Sequence, residues 1–155
     1  MFVAYAVRDA QQGIRWGMSQ SQVKRREDAT LVEESDAELY YTLVGDFPLA
    51  VNYRFAQDRL VEISRVPGEQ YISLESALDA IETLLGNYGE QYGALSEEIA
   101  QPYWLEFVWN TPESKISVVV WYAHEGGYWS WVATSKDASF VEPPYELADE
   151  NVGRV

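Results

Sequence analysis

The sequence contains no cysteine, a single histidine, and no apolar run approaching the ~20 residues of a membrane-spanning helix. Without cysteine there are no disulfides, no thiolate metal sites, no cysteine nucleophile and, within this sequence, no lipid-anchored cysteine. The redox compartment stays open, because a chain of 155 residues can fold in an oxidising space without bridges. Basic residues are scarce: 11 Lys and Arg stand against 25 Asp and Glu, a formal net charge of −14. Such a surface repels phosphate backbones, so no nucleic-acid partner is expected, and no membrane span either. With one histidine, a metal site would rest on carboxylates, and no Asp/His set at helical spacing offers one. Nucleophile motifs, phosphate-binding glycine loops and dinucleotide fingerprints are missing too. The expectation is a protein without cofactor, metal or enzymatic activity.

What remains is a chain that is 47% apolar, enough for one core. The expected organisation is an N-terminal lead at 1–12, one domain at 13–141 and a loosely ordered tail at 142–155 with paired prolines. The lead has two readings. Ala4-Tyr5-Ala6 has the small-x-small form of a signal cleavage site, whereas Phe2 to Val7 also reads as an edge strand.

A short helix is expected over 19–27. With Ser19 as N-cap, Gln22 falls at N3 and completes a capping box, and Met18 and Val23 take the two positions of a hydrophobic staple. So short a helix is marginal alone, and Ile14, Trp16, Met18 and Val23 supply the apolar contacts to hold it. Three strands should follow at 37–44, 48–55 and 60–66, each alternating apolar and polar residues. Turns are expected at Gly45 to Pro48 and over 56–59, and such short connections make the strands antiparallel. A second helix is expected from Ser73 to Tyr92, with Leu74, Ala77, Leu78, Ile81, Leu84, Leu85 and Tyr88 on one stripe and Gly93 closing it. After a polar connector at 94–102, three more strands are expected at 103–110, 114–123 and 127–135. The resulting fold class is α+β: a single antiparallel sheet of about six strands with two helices on one face, in the order α-βββ-α-βββ.

The last three strands carry the functional signal. One alternating set (Tyr103, Leu105, Phe107, Trp109; Ile116, Val118, Val120, Tyr122; Trp129, Trp131, Ala133) should lie under the helices. The other set should face water, yet it contains Trp104, Val108, Val119, Trp121, Tyr128 and Val132. A solvated sheet face is normally polar. The plain reading is that the connector and the tail cover this face. The functional reading makes it a partner-binding patch, because exposed aromatic surface marks interaction sites. A ligand groove, a saccharide platform included, would need convergent polar groups besides. His124, in a Glu-Gly-Gly turn, reads as a solvated loop residue. Glu106 and Glu125 are the nearest approach to a catalytic carboxylate pair, a coincidence that is cheap among so many acids.

Gly17-Met18-Ser19-Gln20-Ser21-Gln22-Val23 resembles the helix start of the SmpA/OmlA small outer-membrane lipoproteins, and the hairpin over 51–63 is similar to the one that follows it there. The helix end at 84–93 also looks like those of related envelope proteins. The resemblance covers roughly 13–66, and the second helix more loosely. It implies the fold shared with β-lactamase inhibitory protein, helices over one face of an antiparallel sheet. It also implies a non-enzymatic, protein-interaction scaffold of the bacterial cell envelope or periplasm. The lipidation cysteine of those lipoproteins is missing here, and the last three strands are unusually rich in tryptophan. The alternatives are a cytosolic inhibitor or immunity-type protein masking a basic partner, or a small-ligand or saccharide binder. The partner expected is an unidentified protein, met by a monomer or weak homodimer.

Overall fold

The computed structural model describes residues 13–44, 49–68 and 71–142. The expected lead, the Gly45–Pro48 turn and nearly all of the tail lie outside them.

Helix α1 (Gln20–Arg26) forms where the capping signals put it. Ser19 is the N-cap: its hydroxyl accepts the Gln22 N–H at 3.2 Å, and the Gln22 side chain accepts the Ser19 N–H at 2.9 Å. Such a cap stabilises a helix by about 1 kcal/mol, which seven residues cannot spare. Tertiary contacts do the rest. Val23 is fully buried, and the Gly17 N–H donates to the Leu60 carbonyl while the Leu60 N–H donates to that of Met18. The Gln20 N–H donates to Asp58 Oδ1 at 2.9 Å. The Trp16 indole N–H reaches Ser114 Oγ at 2.9 Å.

Four antiparallel strands follow: β1 (Thr30–Glu34), β2 (Glu38–Leu43), β3 (Leu49–Ala56) and β4 (Arg59–Pro67). Gln57 and Asp58 turn the chain from β3 to β4 with φ of 53° and 59°, the double left-handed pattern of a type I′ hairpin. Helix α2 (Leu74–Tyr92) starts at N-cap Ser73 and ends at Gly93, whose φ is 89°. Then come β5 (Glu97–Gln101), β6 (Trp104–Asn110), β7 (Ser114–Ala123) and β8 (Tyr128–Asp137). All eight strands form one antiparallel sheet in the order β1-β2-β3-β4-β8-β7-β6-β5.

The α+β class and the single antiparallel sheet stand, but the strand count and order change. The sheet has eight strands rather than about six, and among the described residues the order is α-ββββ-α-ββββ. The two strands missing from the sequence reading, β1 and β5, are the two edges. Every residue of β1 is exposed, as is all of β5 but Ile99, so neither shows the alternation that burial imposes. The 94–102 connector is therefore largely strand, lying in the sheet and not over it.

Each half is a helix followed by a four-stranded meander, and the two meanders join through their last strands, β4 and β8. Helix α2 must therefore carry the chain from the centre of the sheet to its edge. Its 19 residues extend about 28 Å, enough to cross the four strand spacings from β4 to β5, about 19 Å. Ala77, Ile81, Leu84 and Tyr88 turn inward from it onto Ile116, Val118, Val120, Trp131 and Ala133. Under α1, Leu39, Tyr41, Val51 and Tyr53 complete the core. The Tyr53 hydroxyl donates to the buried Glu27 carboxylate at 2.5 Å.

Candidate functional site: the outer sheet face

Register puts every second residue of each strand on the face away from α1 and α2, in rows that cross the sheet. The first row reads Glu38, Arg54, Glu62, Lys136, Lys115, Asn110. The second reads Tyr40, Asn52, Ser64, Thr134, Ser117, Val108, Glu97. Over β8 to β5 the third is Val132, Val119, Glu106, Ile99, and the fourth Ser130, Trp121, Trp104, Gln101. Tyr128 opposite Ala123 ends the face. Charge is thus densest in the first row, and the two tryptophans stand side by side in the fourth, flanked by Ser130 and Gln101.

All six residues singled out from the sequence stand on this outer face, each half-buried. Trp104 lies directly opposite Trp121, and Val119 opposite Val132. Tyr128 sits at the end next to them. Its ring lies over Gly126, where an added Cβ would stand 2.2 Å from the ring and would have to push it aside. Val108 is apart, one row back among Ser117 and Glu97.

At the polar end of the face, Arg54 is satisfied within the chain. Arg54 Nε and Nη2 both donate to Glu62 Oε1, at 3.1 and 2.7 Å, and Nη2 donates to Glu142 Oε2 at 2.6 Å. Burial lowers the guanidinium pKa, but these hydrogen bonds and the two negative charges outweigh it and leave the value raised. Residues 140–142 after β8 thus lie by the charged row, with Phe140 and Val141 beside Val61 and Arg54.

Tyr103, expected under the helices on a strand over 103–110, stands instead in the turn before β6, where it meets Tyr122. The turn from β5 to β6 is two residues, Pro102 and Tyr103. Proline fixes φ near −65° at the first position, and Tyr103 takes φ of 67° at the second, a place where a type II turn normally needs glycine. The Tyr103 ring, 55% exposed, lies 5.6 Å from Tyr122 and 4.9 Å edge-on from His124. Tyr122 meets His124 at 4.9 Å and Trp129 at 5.3 Å. His124 is exposed as expected, but it packs against two rings instead of standing free. Aromatic side chains therefore wrap this end of the sheet from both faces. The sequence signal for it was the Pro-Tyr pair between two strands.

No acid–base pair forms from Glu106 and Glu125. Glu106 is level with Val119, and Glu125 lies beyond Ala123, a separation of roughly 14 Å along the strand at ~3.4 Å per residue, too far for paired carboxylate chemistry. Among the described residues no cluster of His, Asp and Glu could hold a metal, and no helix is long and apolar enough to cross a membrane.

On the helix-covered side a cleft of about 220 Å³ opens between 14–16, the end of α2 and the sheet. Buried Arg65 lies in its wall and donates from Nη1 to the Tyr88 hydroxyl at 3.3 Å. Burial raises the Tyr92 pKa there, with Tyr88 and Glu113 adding and the Arg65 charge opposing.

Compared with known proteins, the chain matches no family model, no curated protein and no solved structure.

Proposed function

We propose that this protein is a non-enzymatic protein-contact module whose contact surface is the aromatic end of the outer sheet face, centred on Trp104, Trp121 and Tyr128. One observation carries the proposal: most charged groups of this face lie at one end, and Trp104, Trp121 and Tyr128 stand together at the other. A face that served only solvation would be polar throughout. Tryptophan and tyrosine are also the side chains that most often dominate binding energy at interfaces. A place in the bacterial cell envelope, and single-chain or weakly dimeric behaviour, belong to the same proposal. The envelope location is supported by the resemblance of Gly17–Val23 and of the 51–63 hairpin to SmpA/OmlA proteins, and a cytosolic inhibitor is the alternative.

Small-ligand binding is a second reading, favoured by the cleft beside Arg65. Its volume is about 220 Å³, whereas ligand pockets usually run to about 300–1,000 Å³; the larger hollow of about 680 Å³ beside Phe140 has its Arg54 already paired with Glu62 and Glu142. The contact face therefore stands first.

The test pairs stability with contact. A photo-crosslinking amino acid at Tyr128 should capture a partner in cells, and one at Glu75 on α2 should not. Trp104→Ser with Trp121→Ser should abolish the capture at a urea-melt cost of about 1–3 kcal/mol for the pair, since both indoles are half-buried. A loss above about 5 kcal/mol, as for two fully buried indoles, would assign them to core packing and end the proposal. Cell fractionation of the tagged protein decides between envelope and cytosol.

A further inference from the structure

We infer that the segment recognised by this face is cationic, a protein stretch presenting arginine or lysine among apolar side chains; the inference rests on the contact-surface reading above. Three observations carry it.

The first is the placement of charge. Between Arg65 and Lys115 the sequence holds nine acidic residues and no lysine or arginine. The Lys115 and Lys136 side chains lie in the first row, at the opposite end of the face. The third and fourth rows over β8 to β5 contain one charged side chain, that of Glu106.

The second is the state of that carboxylate. Glu106 is half-buried, with Val119 on one side and Ile99 on the other. Among the described residues it makes no hydrogen bond or ion pair, and neither does Glu97, diagonal to it on β5. Holding a carboxylate against apolar neighbours costs free energy unless something pairs with it. At the far end of the same face the chain does supply the partner, with Arg54 held by both Glu62 and Glu142. The contrast lies within one sheet face.

The third is the aromatic surround. Trp104 is two residues from Glu106 on the same side of β6, about 7 Å along the strand, and Trp121 stands opposite Trp104. A guanidinium paired with Glu106 lies within reach of the indole faces, where cation–π attraction adds to the ion pair. Neutral or acidic segments would leave the carboxylate unpaired or repelled, which selects against them.

Selecting a phage-displayed library of random dodecapeptides on the immobilised full-length protein tests this. Arginine- or lysine-rich peptides should be enriched. Glu106→Gln should weaken their binding at least about tenfold, and Glu75→Gln, the same charge change on exposed α2, should leave it nearly unchanged. Equal effects of the two substitutions would mean diffuse attraction to an acidic protein and would overturn the inference. Enriched neutral or acidic peptides that still require Trp104 and Trp121 would overturn it too, while leaving the contact surface standing. If no peptide is enriched, or the peptides ignore both tryptophans, the inference and the contact surface fail together. Glu106→Gln changes neither shape nor packing, so it stays informative even if a tryptophan variant folds poorly.

Discussion

Replacing Tyr103 by glycine and by alanine separates backbone strain from ring contact at the most exposed aromatic of the sheet end. At φ of 67° an L-residue bears about 1–2 kcal/mol of left-handed strain. Glycine has no such strain but adds about 0.4–1 kcal/mol of chain freedom to the unfolded state. The ring is 55% exposed, so little apolar area is at stake. Its two edge and tilted contacts, with Tyr122 and His124, contribute about 0.5 kcal/mol each at the low end for aromatic pairs. For Tyr103→Gly the gain and the losses nearly cancel, and stability should stay within about 1 kcal/mol of the starting protein. Tyr103→Ala loses the ring and keeps the strain, so it should fall below the glycine variant by about 1 kcal/mol, or about 2–4 °C in Tm. Urea and thermal melts followed by tryptophan fluorescence measure both. Equal stability of the two variants would refute the strain argument. A loss above about 2 kcal/mol in the glycine variant would make the ring a structural support and not a surface contact.

Two further outcomes follow from single residues. Gly86 is exposed in the interior of α2, and a Cβ there would meet nothing within 4 Å, so Gly86→Ala should stabilise by about 1 kcal/mol; an unchanged or lower melt would mean that α2 is not regular at that turn. Tyr41 has a pKa raised above the ordinary 10.0 by burial and then by the charges of Glu27 and Glu34. The folded state therefore holds this proton more tightly than the unfolded one. The stability it contributes is fully present below pH ~10 and is lost as pH rises through the native value. Tyr41→Phe should flatten that alkaline decline in melts between about pH 8 and about pH 11, and identical slopes for variant and parent would contradict it.

Short-range chemistry was legible wherever one residue's partner lies a few positions away. The capping box of Ser19 and Gln22, the start of α2 near Ser73, its Gly93 end and the alternation of β2, β3, β4, β6, β7 and β8 are all local patterns, set by helix and strand geometry. The assignment of Trp104, Trp121 and Tyr128 to the outer face came from the same period of two. Edge strands escaped because β1 and β5 bury almost nothing and are held by backbone pairing to one neighbour, which leaves no mark on side-chain pattern. Equally invisible was the joining of β4 to β8, which pairs Ile63 with Ser135 across seventy-two positions and thereby makes one eight-stranded sheet from two meanders. Only that tertiary pairing lines up the rows of the two halves and brings Glu142, beyond β8, to the Arg54–Glu62 pair of the β3–β4 hairpin. Alternation tells which side of a strand a residue faces, but the neighbours it meets depend on which strands the whole chain brings side by side.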